Sequence, residues 1–301
     1  MHTERLGWRN SNRLGRRDFI KQTGLAAIGL AAVRENPRTA QARSAAGAAP
    51  IAFNSANLVA RVTGYQYQLA NWMVQHKKTI AATDAAAWRA ICDEIAKAGF
   101  KAVEVWEAHA SPEALDQARA MEWKKILNQA GLKPVAYAGR LSRETLQICR
   151  WLEIPHIDGG MGNLKPEEAT ALCREFSIGF NIENHPEKSP EEILKKIGSG
   201  NQWLGVCIDT GWLGTQGVSA PDVIKACGAL LRHTHIKDVK AAGKHETCLL
   251  GDGVVNVAEC LKTLRAAKYA GWYSWEDEPE DRNPFDSAAR NLQWIARHLA
   301  D

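Results

Sequence analysis

The chain has 301 residues, 45% of them hydrophobic and 24% charged, with a formal net charge of +4. This is the make-up of an ordinary globular protein, with room for one large α/β domain or two small ones. A charge so small and diffuse excludes a surface built to grip a phosphate backbone, so nucleic acid is not an expected partner.

The first 42 residues do not read as fold. Gly15-Arg16-Arg17-Asp18-Phe19-Ile20-Lys21 precedes a mildly apolar run from Gly24 to Val33, and Ala40-Gln41-Ala42 offers a small-residue cleavage site. This resembles a twin-arginine export signal, which implies a periplasmic mature chain that is exported already folded. The apolar run is too short for a membrane span. Residues 43–57 read as an alanine-rich linker.

From residue 58 onward strand and helix patterns alternate. Strands are expected at 58–64, 101–106, 133–138, 154–158, 178–184, 203–209, 232–238 and 272–277. Helices are expected near 84–98, 112–130, 143–152, 166–176, 190–198, 221–230, 256–269 and 284–300. Thr83-Asp84, Ser111-Pro112-Glu113 and Ser189-Pro190-Glu191-Glu192 carry N-terminal capping signals, and Gly99, Gly131 and Gly271 stand where helices close. Eight strand–helix units over 58–301 predict a single-domain (β/α)8 TIM barrel, with a doubly wound sheet as the rival. Seven singly spaced cysteines, none in a CxxC pair, read as small buried hydrophobes.

In such a barrel functional groups come from the C-terminal ends of the strands. The fifth strand offers Glu183, the sixth ends in Asp209, the seventh carries His233, His235 and Lys237, and the eighth ends in Glu276. Carboxylates converging in one mouth repel each other unless a cation joins them. Three oxygen donors and one nitrogen suit a hard or borderline divalent ion such as Mn²⁺, Mg²⁺ or Co²⁺, with Zn²⁺ also open.

Glu183, Asp209, His235 and Glu276, spaced 26, 26 and 41 residues apart, resemble the metal set of the xylose-isomerase-like barrels. Those include sugar isomerases, ketose 3-epimerases, inosose dehydratases and endonuclease IV. Gly99-Phe-Lys-Ala-Val-Glu-Val-Trp106 is similar to the family's second-strand motif, with Glu104 pointing inward. The resemblance implies Glu183, Asp209, His235 and Glu276 as metal ligands, with Mn²⁺ favoured. It also implies that Glu183 and Glu276 move protons next to a carbonyl through a metal-stabilised enediolate. Two departures stand out. Trp212 occupies a place where many of the epimerases carry a histidine, and Lys237 follows the metal histidine by two. Endonuclease IV chemistry is not expected, since the extra ligands for its zinc ions are not evident.

Lys237 is a further catalytic candidate, able to stabilise an oxyanion, unless it forms a surface pair with Asp238. Glu104, Trp106, His185, Trp212 and His245 form the expected substrate-binding group. Tryptophan is abundant, 11 residues against 5 Tyr and 6 Phe. Trp72, Trp106, Trp212 and Trp275 fall near strand ends, where indoles stack on sugar rings. The 250–256 turn, with two glycines, is expected to shape the loop after strand seven. Without a P-loop or arginine cluster for a phosphate, a free sugar or keto-sugar is the expected partner, with a homo-oligomer possible. An isomerase or epimerase is the leading expectation; a lyase or hydratase acting on a keto-sugar and a non-catalytic sugar-binding barrel are the alternatives.

Overall fold

A computed structural model describes residues 49–300. The twin-arginine segment at 1–42 lies outside the described residues. In chain order the elements are β1 (Ile51–Asn54), α1 (Trp72–Ala82), α2 (Ala85–Lys97), β2 (Ala102–Trp106), α3 (Gln117–Gln129) and β3 (Lys133–Ala138). Then come α4 (Arg143–Leu152), β4 (His156–Gly159), α5 (Pro166–Phe176), β5 (Gly179–Glu183), α6 (Pro190–Ile197) and β6 (Leu204–Asp209). The last third holds α7 (Thr210–Thr215), α8 (Ala220–Cys227), β7 (Leu231–Ile236), α9 (Val257–Ala266), β8 (Trp272–Trp275) and α10 (Phe285–Ala300). All eight strands are parallel, and β1 pairs with both β2 and β8, so the sheet closes as a (β/α)8 TIM barrel.

Caps explain most helix starts. Ala87 N–H donates to Asp84 Oδ1 at 2.8 Å ahead of α2, and Glu192 N–H donates to Ser189 Oγ at 3.3 Å ahead of α6, with Pro190 in the first turn. The helix expected from 112 begins only at Gln117, because Asp116 rather than Ser111 supplies the cap, accepting from Arg119 N–H at 2.9 Å. Gly271 does not close α9; Lys268 does, at φ 54°. A Cβ on Gly271 would stand 2.2 Å from the carbonyl oxygen of Arg232, so close backbone approach is what requires glycine there.

The first strand is the largest correction. It lies at 51–54, inside the stretch expected to be linker, while 58–64 forms 3-10 turns. Phe53 fixes this choice. Its ring packs between the strand and helix layers, 5.4 Å from Phe100, 5.4 Å from Trp275 and 5.3 Å from Phe285. Burying a side chain of this size contributes about 2–3 kcal/mol. A second unexpected element is α1, which has no side-chain cap and buries only Gln75 and Thr79.

Side chains alternate in and out along each strand. With Phe53 facing the helices, Asn54 faces the barrel interior, and the register carries that face round through Glu104, Ala136, Ala138, Asp158, Asn181, Gly205, Cys207, His233 and Ser274. A barrel of this kind is commonly filled by Val, Ile and Leu. This one is filled largely by polar groups. All seven cysteines are free thiols and six are buried, as a set of small hydrophobes should be. No helix among the described residues is long and apolar enough to cross a membrane.

Candidate metal centre and sugar mouth

Glu183 and Asp209 are the last residues of β5 and β6, His235 is the penultimate residue of β7, and Glu276 follows β8 directly. One donor atom from each lies within 4.8 Å of the other three. His235 Nδ1 is 2.8 Å from Glu183 Oε1 and 2.7 Å from Glu276 Oε2. A single imidazole N–H cannot serve two carboxylates at once, so the group is one that a shared cation would relax. The other ring nitrogen, Nε2, is 3.0 Å from Glu104 Oε1. Asp209 is locked from both ends. Its backbone N–H donates to Asn184 Oδ1 at 2.8 Å and its carbonyl accepts from Asn184 Nδ2 at 3.0 Å. Its Oδ1 caps α7, accepting from the N–H groups of Gly211 and Trp212.

The second oxygen of Asp209 tests whether a cation fits. Oδ2 is buried and makes no hydrogen bond; Lys237 Nζ stands 3.5 Å away. A buried carboxylate oxygen without a partner costs free energy that a metal bond would recover. Burial pushes the Asp209 carboxyl upward, Lys237 only partly countering it, with Glu276 and Glu183 adding to the rise. For Glu276 burial also works against ionisation. Here His235 and Lys237 outweigh it and hold the carboxyl well below the usual range. Burial works against the imidazolium of His235, and its acidic neighbours Cys207, Glu104, Glu276 and Glu183 outweigh that, raising it well above the ordinary value. The donors thus fit a divalent ion held by Glu183, Asp209, His235 and Glu276.

Lys237 is no surface residue. Its Nζ donates to Glu276 Oε1 at 2.9 Å and to Glu278; burial works against the ammonium, and Asp209, Glu276 and Glu278 outweigh it and raise the side chain well above its ordinary value. Nor does it pair with Asp238. The Asp238 carboxylate accepts backbone N–H groups from Val239, Gly251, Gly253 and Val255 at 2.9–3.0 Å, so it, rather than a phosphate, organises the 250–256 loop. A Cβ on Gly253 would meet Asp238 Oδ1 at 2.2 Å, which is why glycine stands there.

The expected substrate-binding group divides. His185, Trp212 and His245 come together, with His185 edge-on to Trp212 at 4.3 Å between ring centroids and His245 at 4.6 Å. Trp212 and His245 line a crevice above Lys237 together with Tyr67, Leu69 and Trp72. Trp106 lies behind Trp72, 5.4 Å between ring centroids, and is buried. Glu104 lies deeper. It is fully buried, with Oε1 against His235 and Oε2 against His233, so it faces the two imidazoles instead of the mouth. Trp275 points the other way, into the packing around Phe53 and Phe100.

Sequence reasoning missed Asn54, whose Nδ2 donates to Glu276 Oε2 at 2.9 Å. It also missed Asn184 and Glu278. Burial and the charge of Glu276 push the Glu278 carboxyl up to about 8, against the pull of Lys237. Asn184 carried a readable signal, a buried amide beside a strand-end acid. Asn54 was hidden by the misplaced first strand.

Comparison with known proteins agrees with this architecture. Residues 165–298 match the family model described as a xylose isomerase-like TIM barrel. An inosose dehydratase from Geobacillus thermodenitrificans (strain NG80-2) is 26% identical over 160 residues, 46% of this chain and 52% of that protein. The chain therefore aligns with about half the length of that relative. A xylose isomerase domain protein from Planctomyces limnophilus superposes with a TM-score of 0.58 at 18% identity, over 69% of this chain and 92% of that one. An L-ribulose 3-epimerase gives 0.60 at 14% identity, over 84% and 95%. Residues 165–298 are thus similar in sequence to the xylose isomerase-like TIM barrels, and the barrel as a whole shares its fold with these structures.

Proposed function

We propose that the protein is a divalent-metal-dependent isomerase or epimerase of a free sugar or keto-sugar, with Mn²⁺ as the favoured ion. The observation that carries this reading is the placement of two carboxylates, Glu183 and Glu276, on either side of His235 Nδ1, with the orphaned Oδ2 of Asp209 beside them. A divalent ion held there supplies positive charge next to the substrate carbonyl, which lowers the cost of removing the adjacent proton. Glu183, at the rim of the mouth, and Glu276, buried beside Lys237, come from strands three apart in the barrel, so they address the reacting carbon from different sides. One takes the proton and the other returns it. Lys237 keeps Glu276 ionised and offers an N–H to a developing oxyanion. Trp212, flanked by His185 and His245, gives the sugar ring an apolar face on which to stack.

Glu183→Gln and Glu276→Gln preserve size and an oxygen but cannot carry the proton. Each should lower turnover at least about a hundredfold, the scale of general acid–base catalysis. Solvent deuterium should enter the substrate C–H with the unaltered protein and not with either variant. Exchange by neither variant nor unaltered protein, across free and keto-sugars, would leave only a sugar-binding barrel. A lyase is the second reading, favoured by the likeness to an inosose dehydratase; an unsaturated product accumulating alongside exchange would establish it. The proposal places the mature chain in the periplasm by way of Arg16 and Arg17. Full export of an Arg16→Lys/Arg17→Lys chain would remove that part.

A further inference from the structure

Beneath the mouth, at the opposite end of the strands, lies a second set of donors. His156 is the first residue of β4, Asp158 faces the interior two residues later, and His233 enters from β7 across the barrel. His156 Nε2 is 3.1 Å from His233 Nδ1 and 3.2 Å from Asp158 Oδ2, and His233 Nδ1 is 3.7 Å from that same oxygen. We propose that these three side chains form a second divalent-cation site, of the four-coordinate kind taken by Zn²⁺ or Co²⁺, with its fourth position open to water.

Three observations carry this. The first is the shape of the donor triangle. With metal–nitrogen and metal–oxygen bonds of about 2.0–2.1 Å, the edges of a tetrahedron are about 3.3 Å, and the three edges here lie on either side of that length. The second is Asp158 Oδ2. It is fully buried, points into the triangle and makes no hydrogen bond, although His156 is near. The two histidines stand at ion-pair distance without hydrogen-bond geometry, so this buried anionic oxygen keeps a lone pair that no donor serves. The third is that the donors are held from behind. His233 Nε2 is 2.9 Å from Glu104 Oε2 and 2.9 Å from Ser274 Oγ, which turns Nδ1 toward the triangle. Asp158 Oδ1 accepts from Asn181 Nδ2 at 2.7 Å, which turns Oδ2 inward. Carboxylates and amides behind the ligands are how metal sites orient their donors. The side chain of His156 is 16% exposed, so a hydrated ion can enter from the N-terminal face of the barrel.

The site uses none of the four mouth donors, although Glu104 stands behind a histidine of each, and its test does not depend on any sugar chemistry. The full mature chain, stripped with chelator and reloaded with Zn²⁺, should retain two ions after gel filtration. His156→Ala and Asp158→Asn should each retain one. Asp209→Ala, which removes a mouth donor, should also retain one. Reloaded with Co²⁺, the Asp209→Ala protein should show the strong visible absorption of a four-coordinate ion, and the His156→Ala/Asp209→Ala double variant should lose it. Should the base variants fail to fold, the Asp209→Ala protein still decides, because Zn²⁺ must raise its melting temperature. The same ion count in the unaltered chain and in both base variants, or no Co²⁺ absorption and no thermal shift in Asp209→Ala, would each overturn the site.

Discussion

The two halves of the barrel repeat the same βα unit but do different work. Strands β5 to β8 supply all four donors of the mouth, Glu183, Asp209, His235 and Glu276. Strands β1 and β2 supply groups that hold those donors: Asn54 on Glu276, and Glu104 on His235. The half matched by the family model is the donor half, residues 165–298. Donors are constrained by the chemistry of an ion, which accepts few atom types at few distances. A holding group need only present one acceptor or donor from behind, and many residues can do that. The difference teaches where sequence likeness should survive and where it should fade.

Asp209→Ala should break the donor half outright. It removes a buried anionic donor, and the lost charge stabilisation of several kcal/mol corresponds to about a thousandfold in turnover. Because the same side chain caps α7, about 1 kcal/mol of local stability goes with it. Ion content and turnover should therefore be measured at a temperature where circular dichroism shows the variant folded. Unchanged ion binding at the mouth would remove Asp209 from the donor set.

A milder change should sharpen the comparison from the other side. Glu104→Gln leaves every mouth donor in place and removes the charge behind His235. Losing such an outer partner costs about 10–100-fold in metal affinity. Competition against a chelator measures it directly. An affinity equal to that of the unaltered protein would show that Glu104 only fills space, and a complete loss would make it a donor.

How far the sequence alone reveals all this follows the same division. The strands expected at 178–184 and 203–209 occur at Gly179–Glu183 and Leu204–Asp209, because each is an apolar run that ends abruptly in an acid. The donors at those ends were legible for the same reason. β1 was not. Four residues buried on both faces carry no alternation to read, whereas Leu58-Val59-Ala60-Arg61-Val62-Thr63 has the β-branched look of a strand and forms turns instead. What decides there is long-range packing of Phe53 on Phe100 and Phe285, which no local window contains. Glu104 is legible as inward but looks like a substrate contact, since nothing local shows that two histidines from β7 stand in front of it. His156 and Asp158 sit at a strand start, where polar residues look like the end of a loop.

The smallest effect concerns two histidines that the halves treat in opposite ways. At His235 burial works against the imidazolium, and the surrounding acids outweigh it and raise the side chain well above its ordinary value. His109, just after β2, is buried against Trp88 and Trp106 with its Nδ1 3.0 Å from Ser55 Oγ. Burial first, and then repulsion from Arg61 and His76, lower it from 6.5 to about 3. A depressed folded-state value means the unfolded chain takes up the proton first. The contribution of His109 is intact above pH 6.5 and is lost progressively as the pH falls toward 3. Between pH 7 and pH 4 that loss is about 3 kcal/mol at 1.36 kcal/mol per unit. His109→Asn keeps a polar atom near Ser55 and cannot protonate in this range. Urea unfolding at the two pH values should show a smaller acid-side loss in the variant by up to that amount. Subtracting the two proteins cancels every other titrating group, so equal losses in both would mean that His109 accepts its proton without cost in the folded barrel.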